Sequence, residues 1–198
     1  MKLCVFFIGM VALVFTNCST LKVAPMDPKT GKLPTKIKLK REEILVDQSI
    51  PFYDYNQFLY VYITKYSWDA TGYENYLMDT FREIGGYSVC YSETGLQRFV
   101  IQSNLSDQVP NVNDSAALAN LQKAVGPFLI CEITILKEVL SSYFFEIKIM
   151  EPVHREVLLD IYHRSTVWSS YTRELFNPVF NAYIEWLNKC QEYKAPRG

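Results

Sequence analysis

Histidine is scarce in this 198-residue chain, with His154 and His163 the only two, and glycine is limited to eight positions. These shortages exclude several chemistries. Thr30-Gly31-Lys32 lacks the first glycine of a phosphate-cradling loop. GYSVC at residues 86–90 has cysteine where a nucleophile elbow needs its last glycine, and no histidine-containing triad can be placed around it. The five cysteines include no C-x-x-C pair, so neither a zinc site nor a redox dithiol is indicated, and no cofactor or metal is expected. A long membrane-spanning run is also missing. The longest apolar stretch, from Leu3 to Phe15, would rise about 20 Å as a helix against a hydrocarbon core of about 30 Å. Internal repeats and low-complexity tracts are absent.

What is present begins with that short apolar run. Met1-Lys2, the run itself and then Thr16-Asn17 follow the order of a secretory signal peptide over residues 1–17. The sequence Val14-Phe15-Thr16-Asn17-Cys18 resembles a bacterial lipobox, although Phe15 and Asn17 depart from its usual residues. The resemblance implies cleavage before Cys18 and acylation of its thiol. Each buried methylene of an acyl chain contributes roughly 0.8 kcal/mol of membrane affinity, and several chains together anchor durably. Ser19 follows, where an aspartate would resemble an inner-membrane retention signal, which points to the outer membrane with the protein facing the periplasm. The alternative is an ordinary secretion signal cut near Cys18 or Ser19.

Charge divides the remainder at residue 41. Between Ser19 and Arg41 lie Lys22, Lys29, Lys32, Lys36, Lys38, Lys40 and Arg41 against Asp27 alone, whereas the chain from Glu42 onward is net acidic. An acidic body argues against a nucleic-acid partner, because phosphate neutralisation needs clustered cations. The segment 18–41 carries three prolines and no apolar periodicity, so it reads as a basic tether with a contour of about 75 Å at about 3.3 Å per residue. Its cations could also rest on anionic headgroups.

From Glu42 to Gly198 strand and helix patterns alternate, as expected of one α/β domain. Ile44 to Val46 is a short strand, and FLYVYIT at 58–64 is apolar on both faces, as in a strand covered on both sides. Tyr73, Tyr76, Leu77, Phe81 and Ile84 recur at helical spacing before Gly85-Gly86. Tyr87 to Tyr91 is a strand, and Leu96 to Gln102 reads as an extra one. Asp114 caps a helix bearing Ala117, Leu118, Leu121 and Val125, closed by Gly126. FLICEITIL at 128–136 is β-rich, and two alternating runs, 145–150 and 157–162, form a hairpin turning at Glu151 to Arg155. Asn177-Pro178 reads as the cap and first position of a last helix with Phe180, Tyr183, Ile184 and Leu187 inward. Cys90 and Cys131 fall in strand runs as small hydrophobes, with a disulfide between them as the alternative in an oxidising compartment.

This order of elements resembles the envelope family that includes the TolB N-terminal domain, the curli secretion lipoprotein CsgG and the lipoprotein LpoB. The local match is IKIMEPVHREVLLDIY, with Arg155 standing where that family's turn usually has glycine. The resemblance implies a single domain of two or three layers, with a mixed sheet and about three helices. It also implies a non-catalytic binding or assembly role beside an envelope protein or cell-wall glycan, with homo-oligomerisation as a further property. An envelope hydrolase using Glu132 or Glu151 is one alternative, and a subunit of an oligomeric secretion ring is another.

Residues 51–76 are unusually aromatic. Tyrosine and tryptophan favour contact surfaces because they bury much area with few rotatable bonds and keep a polar tip. Phe52, Tyr53, Tyr55, Tyr66 and Trp68 are the expected partner-binding residues. Core and flank packing is the alternative reading of the same residues.

Overall fold

The computed structural model describes residues 22–48, 58–66, 73–138, 142–165 and 173–192. Six strands form one mixed sheet: β1 (Ile44–Asp47), β2 (Phe58–Tyr66), β3 (Val89–Tyr91), β4 (Leu129–Lys137), β5 (Tyr143–Met150) and β6 (Val157–Ser165). Their spatial order is β1-β6-β5-β4-β2-β3, with β2 parallel to both β3 and β4 and every other pair antiparallel. Four helices pack on it: α1 (Glu74–Ile84), α2 (Glu93–Gln102), α3 (Ser115–Val125) and α4 (Arg173–Glu192). A 3₁₀ turn, Arg41–Glu43, leads into β1.

Side-chain alternation along the strands explains the layers. One face of the sheet presents Leu59 and Val61 of β2, Cys131, Ile133 and Ile135 of β4, Phe145, Ile147 and Ile149 of β5, and Leu159 and Ile161 of β6. Against these pack Tyr76, Leu77 and Phe81 of α1, and Phe176, Val179, Phe180, Tyr183 and Leu187 of α4. Phe145 meets Phe176 edge-on at 4.8 Å, and Phe81 meets Phe180 in the same way at 5.2 Å. Such pairs add to area burial because the positive ring edge faces the negative ring face.

Among the described residues, the opposite face is covered only where β2 and β4 begin and β5 ends. There Phe58, Tyr60, Phe128, Ile130 and Met150 meet Leu96 and Val100 of α2 and Ala117, Leu118 and Leu121 of α3. The described residues are therefore three-layered at this end and two-layered at the other.

Most of the expected elements occur. The Asp114 side chain accepts the Ala117 N–H at 2.8 Å, and Gly85 and Gly126 end their helices at φ 72° and 91°, in the left-handed region where a side chain is strained. Three expectations give way.

Residues 96–102 belong to helix α2, not to a strand. Ser92 caps it by accepting the Gly95 N–H at 3.3 Å, and buried Leu96 and Val100 lie one turn apart. A seven-residue window supports either period, and the cap together with the apolar cluster beneath α2 selects the helix.

Helix α4 begins at Arg173, so Pro178 lies inside it rather than at its first position. Asn177 is not a cap. Its buried amide donates to the Pro34 carbonyl at 2.8 Å and accepts from the Tyr76 hydroxyl at 3.1 Å. As the sixth residue of the helix, Pro178 has no N–H to donate to the Glu174 carbonyl, so one ladder bond is forfeited.

The third difference is the basic segment. From Lys22 onward the chain does not hang free but is laid along α4. Arg173 donates to the Lys22 carbonyl at 2.6 Å, and Asn181 pairs with both backbone groups of Leu33, at 2.8 and 2.9 Å. Lys32 forms an ion pair with Glu185. Ala24 and Leu33 are buried, and Val23, Met26 and Leu39 pack partly on the core. Residues 22–40 thus form a strap. Its sparse apolar side chains lack a period because a partner surface, not a regular backbone, decides which of them turn inward.

The three cysteines within the described residues are free and buried. Cys90 lies opposite Leu59, and Cys131 opposite Val61 on the other side of β2. Two sheet spacings of about 4.8 Å separate these strands, too far for a disulfide. Burial raises the Cys90 thiol to about 11 despite Arg82 nearby, and burial pushes the Cys131 thiol well above its ordinary value.

Candidate functional site

The bare half of the second sheet face carries the chemistry. Residues that alternate with the core positions project here: Tyr62 and Thr64 from β2, Glu132, Thr134 and Leu136 from β4, Phe144, Glu146 and Lys148 from β5, and Asp160, Tyr162 and Arg164 from β6. Most are half-buried. Register places Tyr62, Glu132, Lys148 and Asp160 directly opposite one another across four strands. Opposed charges at adjacent cross-strand positions stabilise a sheet, and Lys148 stands between the row's two acids.

Glu132 is the row's acidic centre. Its Oε1 accepts from the Tyr62 hydroxyl and from the Arg155 guanidinium. Glu132 faces outward, between inward Cys131 and Ile133. Burial, reinforced by the hydrogen bond to Glu132, raises the Tyr62 phenol to about 12, and Arg155 partly opposes the shift. Tyr62 stacks on Tyr60, with centroids 5.2 Å apart. The Tyr60 hydroxyl in turn donates to Asn113 at 2.9 Å, and the Asn113 amide donates to Glu93 at 2.6 Å. A polar line therefore runs from the bare face to the start of α2.

Arg155 reaches Glu132 from the β5–β6 turn, where it takes φ 56°, the left-handed conformation that glycine would adopt freely. The turn is held by Glu151, whose carboxylate accepts the N–H groups of Val153 at 2.8 Å, of Glu156 at 3.4 Å and of His154. Glu151 is thus occupied in shaping the turn, and His154 is exposed upon it.

On the other side of the row, Lys148 Nζ lies 3.2 Å from Asp160 and 4.0 Å from Glu146. Burial pulls the ammonium pKa down, and the two carboxylates outweigh it, so the net shift is upward. Burial raises Asp160 against the pull of Lys148, and its Oδ1 is buried without a hydrogen-bond partner among the described residues. Next along β5 and β6, the Arg164 guanidinium lies over Phe144 and Tyr162, at 5.4 and 5.7 Å from their centroids, and 3.4 Å from Glu138. This pair of half-buried rings under an exposed cation forms an aromatic edge to the polar row.

His163 points into the structure: it is 8% exposed, and its Nδ1 lies 2.7 Å from the Glu43 carboxylate, joining β6 to the 3₁₀ turn before β1. Among the described residues no three His, Cys, Asp or Glu side chains converge to hold a metal ion, and no helix is long and apolar enough to cross a membrane.

Cys18, Phe52, Tyr53, Tyr55 and Trp68 lie outside the described residues, and of Tyr66 only the backbone, at the end of β2, is described. The sequence reading singled out Glu132 but not its neighbours. Tyr62, Lys148, Asp160 and Arg164 are ordinary alternating residues in sequence, and only the pairing register brings them into one row.

No family model matches the chain, and no curated protein matches it. Solved structures similar to it include the lipoprotein GNA1162 from Neisseria meningitidis, with TM-score 0.41 and 10% identity, covering 67% of this chain and 96% of that one. The PelC dodecamer from Paraburkholderia phytofirmans is similar at TM-score 0.42 and 10% identity, over 73% of this chain and 94% of its own. The C-terminal domain of LpoB from Salmonella enterica is similar at TM-score 0.37 and 14% identity, over 57% and 84%.

Proposed function

We propose that the protein is a lipid-anchored envelope lipoprotein, held through Cys18 at the outer membrane and facing the periplasm, that acts as a non-catalytic binding or assembly accessory. The observation that carries this reading is the bare sheet half, where a row of complementary charges and a cation-capped aromatic pair are pre-arranged on rigid strands. Sites built on strands hold their geometry more tightly than sites on loops. The surface suits an envelope protein partner offering matching charges. The aromatic set Phe52, Tyr53, Tyr55, Tyr66 and Trp68 is a second part of the proposed contact surface. The acids that a hydrolase would employ are otherwise engaged, Glu132 by Tyr62 and Arg155, and Glu151 by the amides of its own turn.

The test is capture from detergent-solubilised envelopes of the native host, comparing the wild type with Arg164→Glu and with Lys148→Glu. Loss of one defined protein partner in both variants supports the reading. Retention of every partner by both variants removes the bare face from it, and capture of glycan fragments alone replaces the protein partner with cell wall.

A further inference from the structure

The structure assigns the protein an orientation on the membrane: one end of the sheet is a cationic foot that rests on an anionic lipid headgroup surface. This rests on the anchored reading above. It is argued from where the strap begins and from where the cations gather.

Position comes first. Arg173 fixes the Lys22 carbonyl at the start of α4, and buried Ala24 holds the chain just beyond it. Only four residue steps separate Lys22 from Cys18, at most about 14 Å of extended chain. The strap then descends along α4 to Lys32 beside Glu185, reverses, and climbs back past Asn181 and Asn177. It therefore returns to the end from which it started. An anchor at Cys18 would keep this end, and no other, close to the bilayer.

Charge comes second. At that end, past a bend at Lys36, Ile37 and Leu39 are half-buried while Lys36, Lys38 and Lys40 alternate with them and are exposed, so three ammonium groups gather on the solvent side of the strap. Helix α4 starts at the same end, and β6 finishes there, adding exposed Arg173 and Arg164 to Lys22. Acids nearby are Glu42, 3.8 Å from Lys40, Glu138, paired to Arg164, and exposed Glu74 and Glu174 at the starts of α1 and α4. Among the described residues Lys22, Lys36 and Lys38 have no ion-pair partner. The opposite end carries Asp107, Asp114, Glu151 and Glu156 around its turns, against exposed Lys123 and an Arg155 that is paired to Glu132. The molecule thus has a cationic pole next to the anchor, and cations near an anionic leaflet bind it through a field that salt screens. With that pole down, the strands stand away from the membrane and the bare face looks sideways into the periplasm.

The experiment uses the mature full-length protein from its native host, reconstituted into vesicles of phosphatidylcholine alone or with about one third phosphatidylglycerol. Flotation is followed by brief amine acylation, and the modification of each lysine is read by mass spectrometry. Lys36 and Lys38 are expected to label at least threefold more slowly on the anionic vesicles. High salt should remove this difference, while exposed Lys123, at the far end of α3, should label equally on both. Lys36→Glu/Lys38→Glu, which alters two exposed and unpaired side chains, should abolish the protection of Lys40 without changing the circular dichroism spectrum. Equal labelling on both vesicle types in protein that floats overturns the orientation and leaves the anchor intact. Protein that floats with neither overturns the anchored reading and the orientation together.

Discussion

The two faces of strands β4, β5 and β6 share the same backbone and yet do opposite things. Toward α1 and α4 the strands bury Cys131, Ile133, Ile135, Phe145, Ile147 and Ile149 completely, and toward the bare side they offer Glu132, Thr134, Phe144, Glu146 and Lys148, half-buried. Interdigitated side chains secure the first face, where a lost methylene leaves a cavity. The second is secured by in-register charges and ring contacts that a partner could exchange for its own. Stability and recognition are thus separated by the two-residue period of a strand, one side chain apart.

The largest test of this division is a pair of neighbouring truncations. Phe145→Ala should cost about 3–5 kcal/mol in chemical denaturation, since the ring is fully buried against Phe176 and Phe180. Phe144→Ala, one residue away, should cost about 1 kcal/mol because its ring is half in solvent beneath Arg164. Equal costs would break the comparison.

Next is the strap. Asn177→Ala removes the buried amide, taking one partner from the Tyr76 hydroxyl and the donor from the Pro34 carbonyl, so a loss of about 2–3 kcal/mol is expected. Proteolysis between residues 29 and 38 should accelerate in the folded protein. Cleavage no faster than in the wild type would mean that the strap is held by its other contacts alone.

A smaller effect concerns Arg155. Both Arg155→Ala and Arg155→Gly lose the contact with Glu132, but only alanine keeps the strain of φ 56°. The glycine variant should therefore be the more stable by about 1 kcal/mol. The reverse order would show that the turn relaxes when the ion pair is gone.

The smallest effect is one of direction. Burial raises the folded-state pKa of Asp160 above its ordinary value, so the carboxyl binds its proton more tightly in the folded than in the unfolded chain. Its contribution is fully present below the ordinary aspartate pKa and is lost as pH rises through the raised one. The wild-type stability relative to Asp160→Asn should therefore be more favourable at pH 3 than at pH 7. A difference that grows with pH instead would mean that Lys148 dominates Asp160 and that the row is a stabilising ion pair.

Wherever a pattern is local, the sequence was informative. The β5–β6 hairpin announced itself through strict alternation, α1 and α3 through helical spacing and glycine stops, and Glu132 through its place in an apolar strand. Residues 96–102 were ambiguous because seven residues fit two periods. Asn177-Pro178 misled because a strong cap signal was overridden by buried partners from residues far away in the chain.

Local propensity, side-chain period and capping chemistry act within a few residues, and they determined the elements of this protein, the leader-like start and the charge boundary at residue 41. Which helices cover which part of the sheet, how the basic segment lies along α4, and which four side chains meet in one row were decided only by tertiary packing. Those outcomes depend on contacts between residues separated by tens to more than a hundred positions. Their energies come from surfaces that exist only once the sheet and helices have assembled.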